Sequence, residues 1–286
     1  AAGQRLAQLT ADPRYLYPET EEGRAQLLAD VQTRVNGVLA RADQWFGRLP
    51  RAKLEVRRVP AFAEAGQPGA SYSAPSIEGG QPGIYYVNLR NLREMTRIDL
   101  PTQDFHEAVP GHHFQTALAL ELDDTPLIRR LITVNAYSEG WGLYAEQLAD
   151  ELNFYANDPI GRIGYLRWQL WRAARLVVDT GLHAKGWSRQ QAIDYLIAAT
   201  GDSWSTVATE VDRYVVWPGQ ACGYELGRRE IVALRARARR ALGPDFDLRG
   251  FHDVVLLNGE VPLPVLEQLV DEWIPRRQRE AQRQGS

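Results

Sequence analysis

With a single cysteine, Cys222, in 286 residues, the chain cannot close an internal disulfide or build a cysteine-based zinc knuckle. A lone cysteine of this kind reads as a small buried apolar residue. Long apolar runs are missing too. No stretch reaches the ~18 residues of a membrane span, and the start has no basic segment followed by an apolar one. Ala1-Ala2-Gly3-Gln4 reads as a mature or trimmed end. An exported or periplasmic location is slightly favoured over a cytoplasmic one. Nor is there an excess of one charge: 33 Lys and Arg against 36 Asp and Glu leave −3, so nothing points to nucleic acid or an anionic membrane as a partner. The local basic runs, 228–240 and 276–283, read as helix faces or a solvated end. Internal repeats and low-complexity segments are absent as well.

What is there is an ordinary globular composition, 44% hydrophobic and 24% charged, in a chain long enough to bury a real core. Residues 20–47 carry Leu27, Leu28, Val31, Val35, Val38, Leu39 and Trp45 at helical spacing, up to a break at Pro50. Residues 54–59 and 84–89 alternate as strands do, separated by a Gly/Pro/Ser-rich stretch, 65–83, expected to loop over something. From Thr102 the pattern is almost all helix: 102–122, 126–134, 138–155, 159–184, 188–199, 203–215, 220–242 and 262–274. The expected fold is mainly α, with a small N-terminal β-sheet or hairpin. It forms one catalytic domain over 1–286, in which 1–100 holds a helix and the sheet and 101–286 the helical, chemistry-bearing region.

The chemistry concentrates in Asp104-Phe105-His106-Glu107-Ala108-Val109-Pro110-Gly111-His112-His113-Phe114-Gln115, where three of the chain's five histidines fall within eight residues. Zinc enzymes with His-Glu-x-x-His place two imidazoles one helical turn apart, the glutamate beside the metal's water. Here the position four after His106 is Pro110, which cannot ligate. On an ideal helix His112 is rotated ~240° from His106 and His113 ~340°, but His113 also lies ~10.5 Å further along the axis. Pro110 breaks the backbone ladder and Gly111 permits unusual dihedrals. A bulge at Val109-Pro110 that absorbs two residues would make His112 the second ligand. His113 remains the alternative and is otherwise expected to support the ligands from behind.

A third ligand is expected from Tyr137-Ser138-Glu139-Gly140-Trp141-Gly142-Leu143-Tyr144-Ala145-Glu146, where Glu139, Glu146 and Asp150 share one helical face. Glu139 is the expected ligand and Glu146 a carboxylate that orients an imidazole. Gly140 and Gly142 cost about 1 kcal/mol each in a helix and make sense if a histidine–metal assembly approaches the backbone. Arg175, Asp179 and His183 recur at spacing four, either to anchor a peptide carboxylate or, as favoured, to form an internal salt-bridge ladder. His252 reads as structural.

His-Glu-Ala-Val-Pro-Gly-His-His-Phe-Gln followed by Tyr-Ser-Glu-Gly-Trp-Gly-Leu-Tyr-Ala-Glu resembles the bacterial domain-of-unknown-function 885 family. Asp179-Thr180-Gly181-Leu182-His183, Pro218-Gly219-Gln220-Ala221 and Phe246-Asp247-Leu248-Arg249 extend the resemblance over nearly the whole chain. Members are about twice as long, and the chain resembles their C-terminal half, so an N-terminal half is a possible partner. The family is similar in layout to helical zinc peptidases of the thimet oligopeptidase, carboxypeptidase Taq and angiotensin-converting enzyme type, from which it departs by the two-residue Val-Pro insertion.

The resemblance implies a metallopeptidase with zinc as cofactor and a peptide as substrate. Zinc would acidify its water, Glu107 would act as general base, and Tyr224, Tyr214 or His183 would steady the oxyanion, with Tyr224 preferred. An extended peptide would pair with 84–89 as an edge strand. A non-peptidase amide hydrolase and a non-catalytic peptide-binding module are the alternatives.

Overall fold

The computed structural model describes residues 2–284 and is mainly helical around one small sheet. Helices α1 (Ala2–Thr10) and α2 (Glu21–Leu39) come first. Strands β1 (Leu54–Arg58), β2 (Ala70–Ser73) and β3 (Gly83–Val87) follow. Then come α3 (Leu100–Glu107), α4 (His112–Leu120), α5 (Leu127–Leu131), α6 (Asn135–Glu151) and α7 (Pro159–Ala184). The chain closes with α8 (Arg189–Thr200), α9 (Trp204–Val216), α10 (Gln220–Leu242), α11 (Leu248–Leu256) and α12 (Leu263–Gln284).

Local chemistry explains most boundaries. Thr20 caps α2 through Gly23 N, and Leu27, Val31, Val35 and Val38 form its buried stripe. Asp158 caps α7 through Gly161 N with Pro159 at the first helical position, and Ser188 with Gln191 makes a capping box on α8. Gly201 ends α8 at φ 76°, a left-handed backbone that a Cβ would strain. Two buried clusters result. The larger joins α2, the sheet, α3, α4, α6 and the C-terminal helices, and the smaller joins α7, α8, α9 and the start of α10. α6 and α10 pack most extensively, because Gly140 and Gly227 face each other: a Cβ on Gly140 would lie 2.5 Å from Gly227 Cα.

Several expectations need correction. The strand at 83–87 is not an edge. It pairs in parallel with β1 (Leu54 opposite Gly83) and antiparallel with β2 (Ala70 opposite Val87), in the order β1-β3-β2. The Gly/Pro/Ser stretch read as a loop supplies β2, and that short strand covers the side thought open to a peptide. The helix expected over 102–122 is two helices, and the residues at 108–111 form a turn between them. α1 and α11 were not expected. Among the described residues, no helix is long and apolar enough to cross a membrane. Cys222 is buried and free, and burial raises its thiol to about 11, which suits a packing role.

His252 is structural, as expected. It is fully buried, stacked on Phe46, with Nδ1 2.7 Å from the Trp45 carbonyl and Nε2 2.7 Å from the Tyr144 hydroxyl. A carbonyl only accepts, so Nδ1 carries the proton and Nε2 accepts from Tyr144, whose oxygen in turn accepts from Arg235 (3.0 Å). Burial lowers the His252 pKa from 6.5 to about 4. As pH falls below 6.5 the unfolded chain takes this proton first. The stability His252 contributes above pH 6.5 is therefore lost down to about pH 4, by about 1.4 kcal/mol per pH unit. Urea unfolding across that range should show a shallower slope in His252→Phe than in the parent, alongside lower stability at pH 7. Equal slopes would mean that the imidazole is charged inside the fold.

Candidate metal centre

The last turn of α3 presents His106. Two residues earlier, buried Asp104 accepts from Arg34 Nε (2.7 Å) and the Tyr85 hydroxyl (2.9 Å), pinning α3 to α2 and β3. After Glu107 the chain turns through a cis Val109–Pro110 bond, and Gly111 fits because a Cβ there would collide with the His106 carbonyl. His112 then opens α4. Trp141 of α6 reaches into the turn, its Nε1 donating to the carbonyls of Pro110 (3.0 Å) and Gly111 (3.2 Å). The anticipated bulge is thus a full break with the same consequence: His112 comes back to His106, their rings 4.7 Å apart and nearly perpendicular.

Glu139, from the same helix as Trp141 and just past its first turn, completes the group. Its Oε2 is 3.4 Å from His106 Nε2 and 3.6 Å from His112 Nε2, and one donor atom from each of the three residues lies within 4.8 Å of the others. As hydrogen bonds these separations are long. As edges of a tetrahedron around zinc, with bonds of ~2.0–2.1 Å, they match the expected ~3.3 Å. Two imidazoles and one carboxylate are also a donor set that zinc takes. The residues fit the ion.

Around the ligands each helix has a supporting part. His106 Nδ1 lies 2.7 Å from Oε1 of fully buried Glu146, whose Oε2 accepts from Gln169 Nε2 (3.2 Å). This is the carboxylate–imidazole pairing that orients a metal-binding histidine. Gly142 leaves room for the ring: a Cβ there would stand 2.5 Å from His106 Cε1. Gly140 serves the α6–α10 contact instead, so one of the two glycines answers to the histidine. Gly142→Ala should weaken zinc binding at least ~10-fold, as loss of an orienting contact does. Competition with a chelating dye measures this, and an unchanged affinity would show that the ring has room to move.

The electrostatics bind the cluster together. Burial disfavours a charged His106, but Glu139 and Glu146 outweigh it and raise its pKa to about 9. Burial would likewise raise Glu139, yet its contacts with His106 and His112 hold it well below the ordinary carboxylate value. A cation replaces the shared proton in such a cluster, and metal uptake releases it.

The other expected residues sort differently. Glu107 is half-buried and, among the described residues, makes no hydrogen bond or ion pair with a side chain, while its charge acts on His106. Tyr224 stacks beside His106 with centroids 6.4 Å apart, and its hydroxyl accepts from Gln220 Nε2 (3.2 Å). Tyr214 instead gives its hydroxyl to Glu210 one turn back on α9 (3.0 Å), and His183 of α7 ties α9 in place through Nε2, 3.0 Å from the Tyr214 carbonyl; neither is hydrogen-bonded to His106, His112 or Glu139. His113 turns toward the sheet, Nδ1 3.0 Å from the Tyr72 hydroxyl, and does not support the ligands. Asp150 leaves the face of Glu139 and Glu146 for Arg162 (2.7 Å). The ladder does not form: both Asp179 oxygens lie 3.1 Å from the Gly219 amide, and Arg175 has no ion-pair partner among the described residues.

Sequence reasoning missed Gln115 and Glu260. Gln115 Oε1 lies 3.4 Å from His112 Nδ1, while its Nε2 donates to Glu260 Oε1 (2.6 Å) and Glu260 Oε2 accepts from Val134 N (2.6 Å). Gln115 is three residues past His112 on one helix, a signal available in the sequence. Glu260 had none.

Comparison with known proteins adds the following. The profile of the family described as "Bacterial protein of unknown function (DUF885)" matches residues 1–270. A solved structure from Colwellia psychrerythraea, described as a "putative lipoprotein", superposes with a TM-score of 0.94 at 46% identity, covering 96% of this chain and 47% of that one. A second, from Shewanella oneidensis and described as a "putative lipoprotein of unknown function", has a TM-score of 0.74 at 23% identity, covering 94% of this chain and 54% of that one, and shows the fold alone. The chain therefore spans about half the length of each, and the family match over 1–270 does not bear out the expected restriction to a C-terminal half. No curated protein sequence matches.

Proposed function

The chain belongs to the bacterial DUF885 family, and from its site geometry we propose that it is a zinc-dependent hydrolase that cleaves peptide bonds. The observation that carries this reading is the spacing of His106, His112 and Glu139, long for hydrogen bonds and matched to zinc. Glu107 supports it: a carboxylate next to the first ligand, uncommitted to any side chain, is what a general base requires.

Bound zinc supplies a Lewis acid for a water molecule and for the scissile carbonyl. Glu107 takes the water's proton as the water oxygen bonds to the carbonyl carbon. The C–N bond then breaks, and Glu107 returns the proton to the leaving nitrogen. The Tyr224 hydroxyl, steadied by Gln220, is the donor for the developing oxyanion. Glu146 holds the His106 ring in register through Nδ1. The description of the Colwellia psychrerythraea relative as a "putative lipoprotein" supports an exported or membrane-anchored setting.

The test is to load the purified protein with zinc, count the bound metal and incubate it with a mixed peptide library read by mass spectrometry. Cleavage is expected with about one ion per chain. A chelator should stop it and added zinc restore it. A fully loaded protein that cleaves no peptide would end the peptidase reading.

A further inference from the structure

Gln103, three residues before His106 on α3, helps to wall a cavity of about 670 Å³ together with Trp168 and Arg172 of α7 and Arg213 of α9. Its acidic residues are already matched: Asp99 and Asp202 with Arg167, Glu210 with Arg213, Glu94 with Asn91. The mismatch is on the cationic side. Arg172 is 7% exposed, and its Nε has no partner among the described residues. Arg175, one turn on, is fully buried, with Nε and Nη1 unpartnered and Nη2 alone donating to Gln220 Oε1 (3.2 Å).

Buried guanidinium groups are normally paired, because desolvation of an unmatched charge costs several kcal/mol. Here no carboxylate lies within ion-pair distance among the described residues, and the compensation comes from the Gln220 contact, the charge of Glu210 and aromatic faces. The Tyr224 ring lies 4.4 Å from the Arg172 guanidinium carbon and 4.1 Å from that of Arg175, with Tyr214 5.1 Å from the latter. Cation–π contact recovers a fraction of that cost. The same Tyr224 ring stacks beside His106, so the two guanidinium groups stand one aromatic ring away from a metal ligand. The forked donors of arginine match a carboxylate.

We propose that Arg172 and Arg175 receive a carboxylate of the substrate, so that the site selects peptides carrying an anionic group next to the cleaved bond. This rests on the hydrolase reading for its substrate class. The α-carboxylate of a peptide's C-terminus and an acidic side chain share this chemistry.

Both sources can be tested by calorimetry on zinc-loaded Glu107→Gln protein, which holds peptides without turnover. One pair of probes is an N-acetylated tri-alanine acid and its C-terminal amide. The other is N-acetyl-Ala-Glu-Ala-amide and its glutamine counterpart. A preference on the order of 30-fold or more for the charged member is expected in one pair, as for a buried, hydrogen-bonded charge pair. It should collapse in Arg175→Gln and in Arg172→Gln, and return in part in Arg175→Lys, which keeps the charge and loses the fork. Preference within the first pair assigns the C-terminus, and within the second an acidic side chain. Equal binding within both pairs, or a preference that survives both glutamine variants, overturns the proposal. If the preference holds while the parent cleaves nothing, the peptidase reading fails and the carboxylate site stands. Cleavage of acid and amide probes alike with no binding preference has the reverse meaning.

Discussion

His112→Ala protein is expected to lose its zinc on dialysis, while His113→Ala protein keeps it with near-parental affinity. The two residues are adjacent, yet the turn at 108–111 sends them to opposite tasks. His112 Nε2 lies 3.6 Å from Glu139 Oε2, at ligand spacing, whereas His113 Nδ1 is engaged with Tyr72 against the sheet. Removing a ligand should cost far more than the ~10–100-fold that follows loss of an orienting partner. The His113 substitution instead opens a gap between α4 and the sheet and should show as a lower melting temperature. Metal analysis after dialysis, with chelator competition for any residual binding, measures both. The reverse order of zinc loss would move the second ligand to His113 and refute the geometry described for α4.

Glu107→Gln is expected to retain one zinc per chain and to lose hydrolysis by ~100-fold or more, the usual contribution of a positioned general base. The amide keeps the size and polarity of the carboxylate but has no basic oxygen to accept a proton. Glu107 stands outside the donor group of His106, His112 and Glu139, so metal content and turnover should separate cleanly in this variant. Near-parental turnover with full metal occupancy would assign the proton transfer to another group. Loss of the metal would instead make Glu107 a ligand.

The parts of this fold legible in the sequence are those whose signals are local. α7 and α10 could be bounded because Asp158-Pro159 and Gly219 mark their starts in one or two residues. Glu139 and Glu146 could be paired because a separation of seven returns to one helical face. β2 was hidden, since the alternation in Ala-Ser-Tyr-Ser spans only four residues inside a Gly/Pro/Ser run, too short to stand out, and the neighbouring strand selects them as partner. The break between α3 and α4 was announced by Pro110-Gly111 but not its extent, because Trp141, some thirty residues on, closes the turn. Spacing of four put Arg175 and Asp179 on one face and wrongly suggested a pair. Asp179 is drawn off by the amide of Gly219, a competitor that helical periodicity does not reveal. Glu260 lies 145 residues from Gln115 and could be known only from the fold.

The indole of Trp141, wedged under the 108–111 turn, has a thermodynamic consequence. It fastens the segment bearing two ligands to the helix bearing the third, so the donors converge only after α6 has docked. On the proposed reading the unfolded chain would then have little hold on the ion, and free zinc would act as a stabilising ligand of the native state alone. At a free concentration one hundred times the dissociation constant it should add about 2.7 kcal/mol to the free energy of unfolding. Each further tenfold adds about 1.4 kcal/mol, so the melting temperature becomes a gauge of zinc supply and the lifetime of the protein a function of the metal around it.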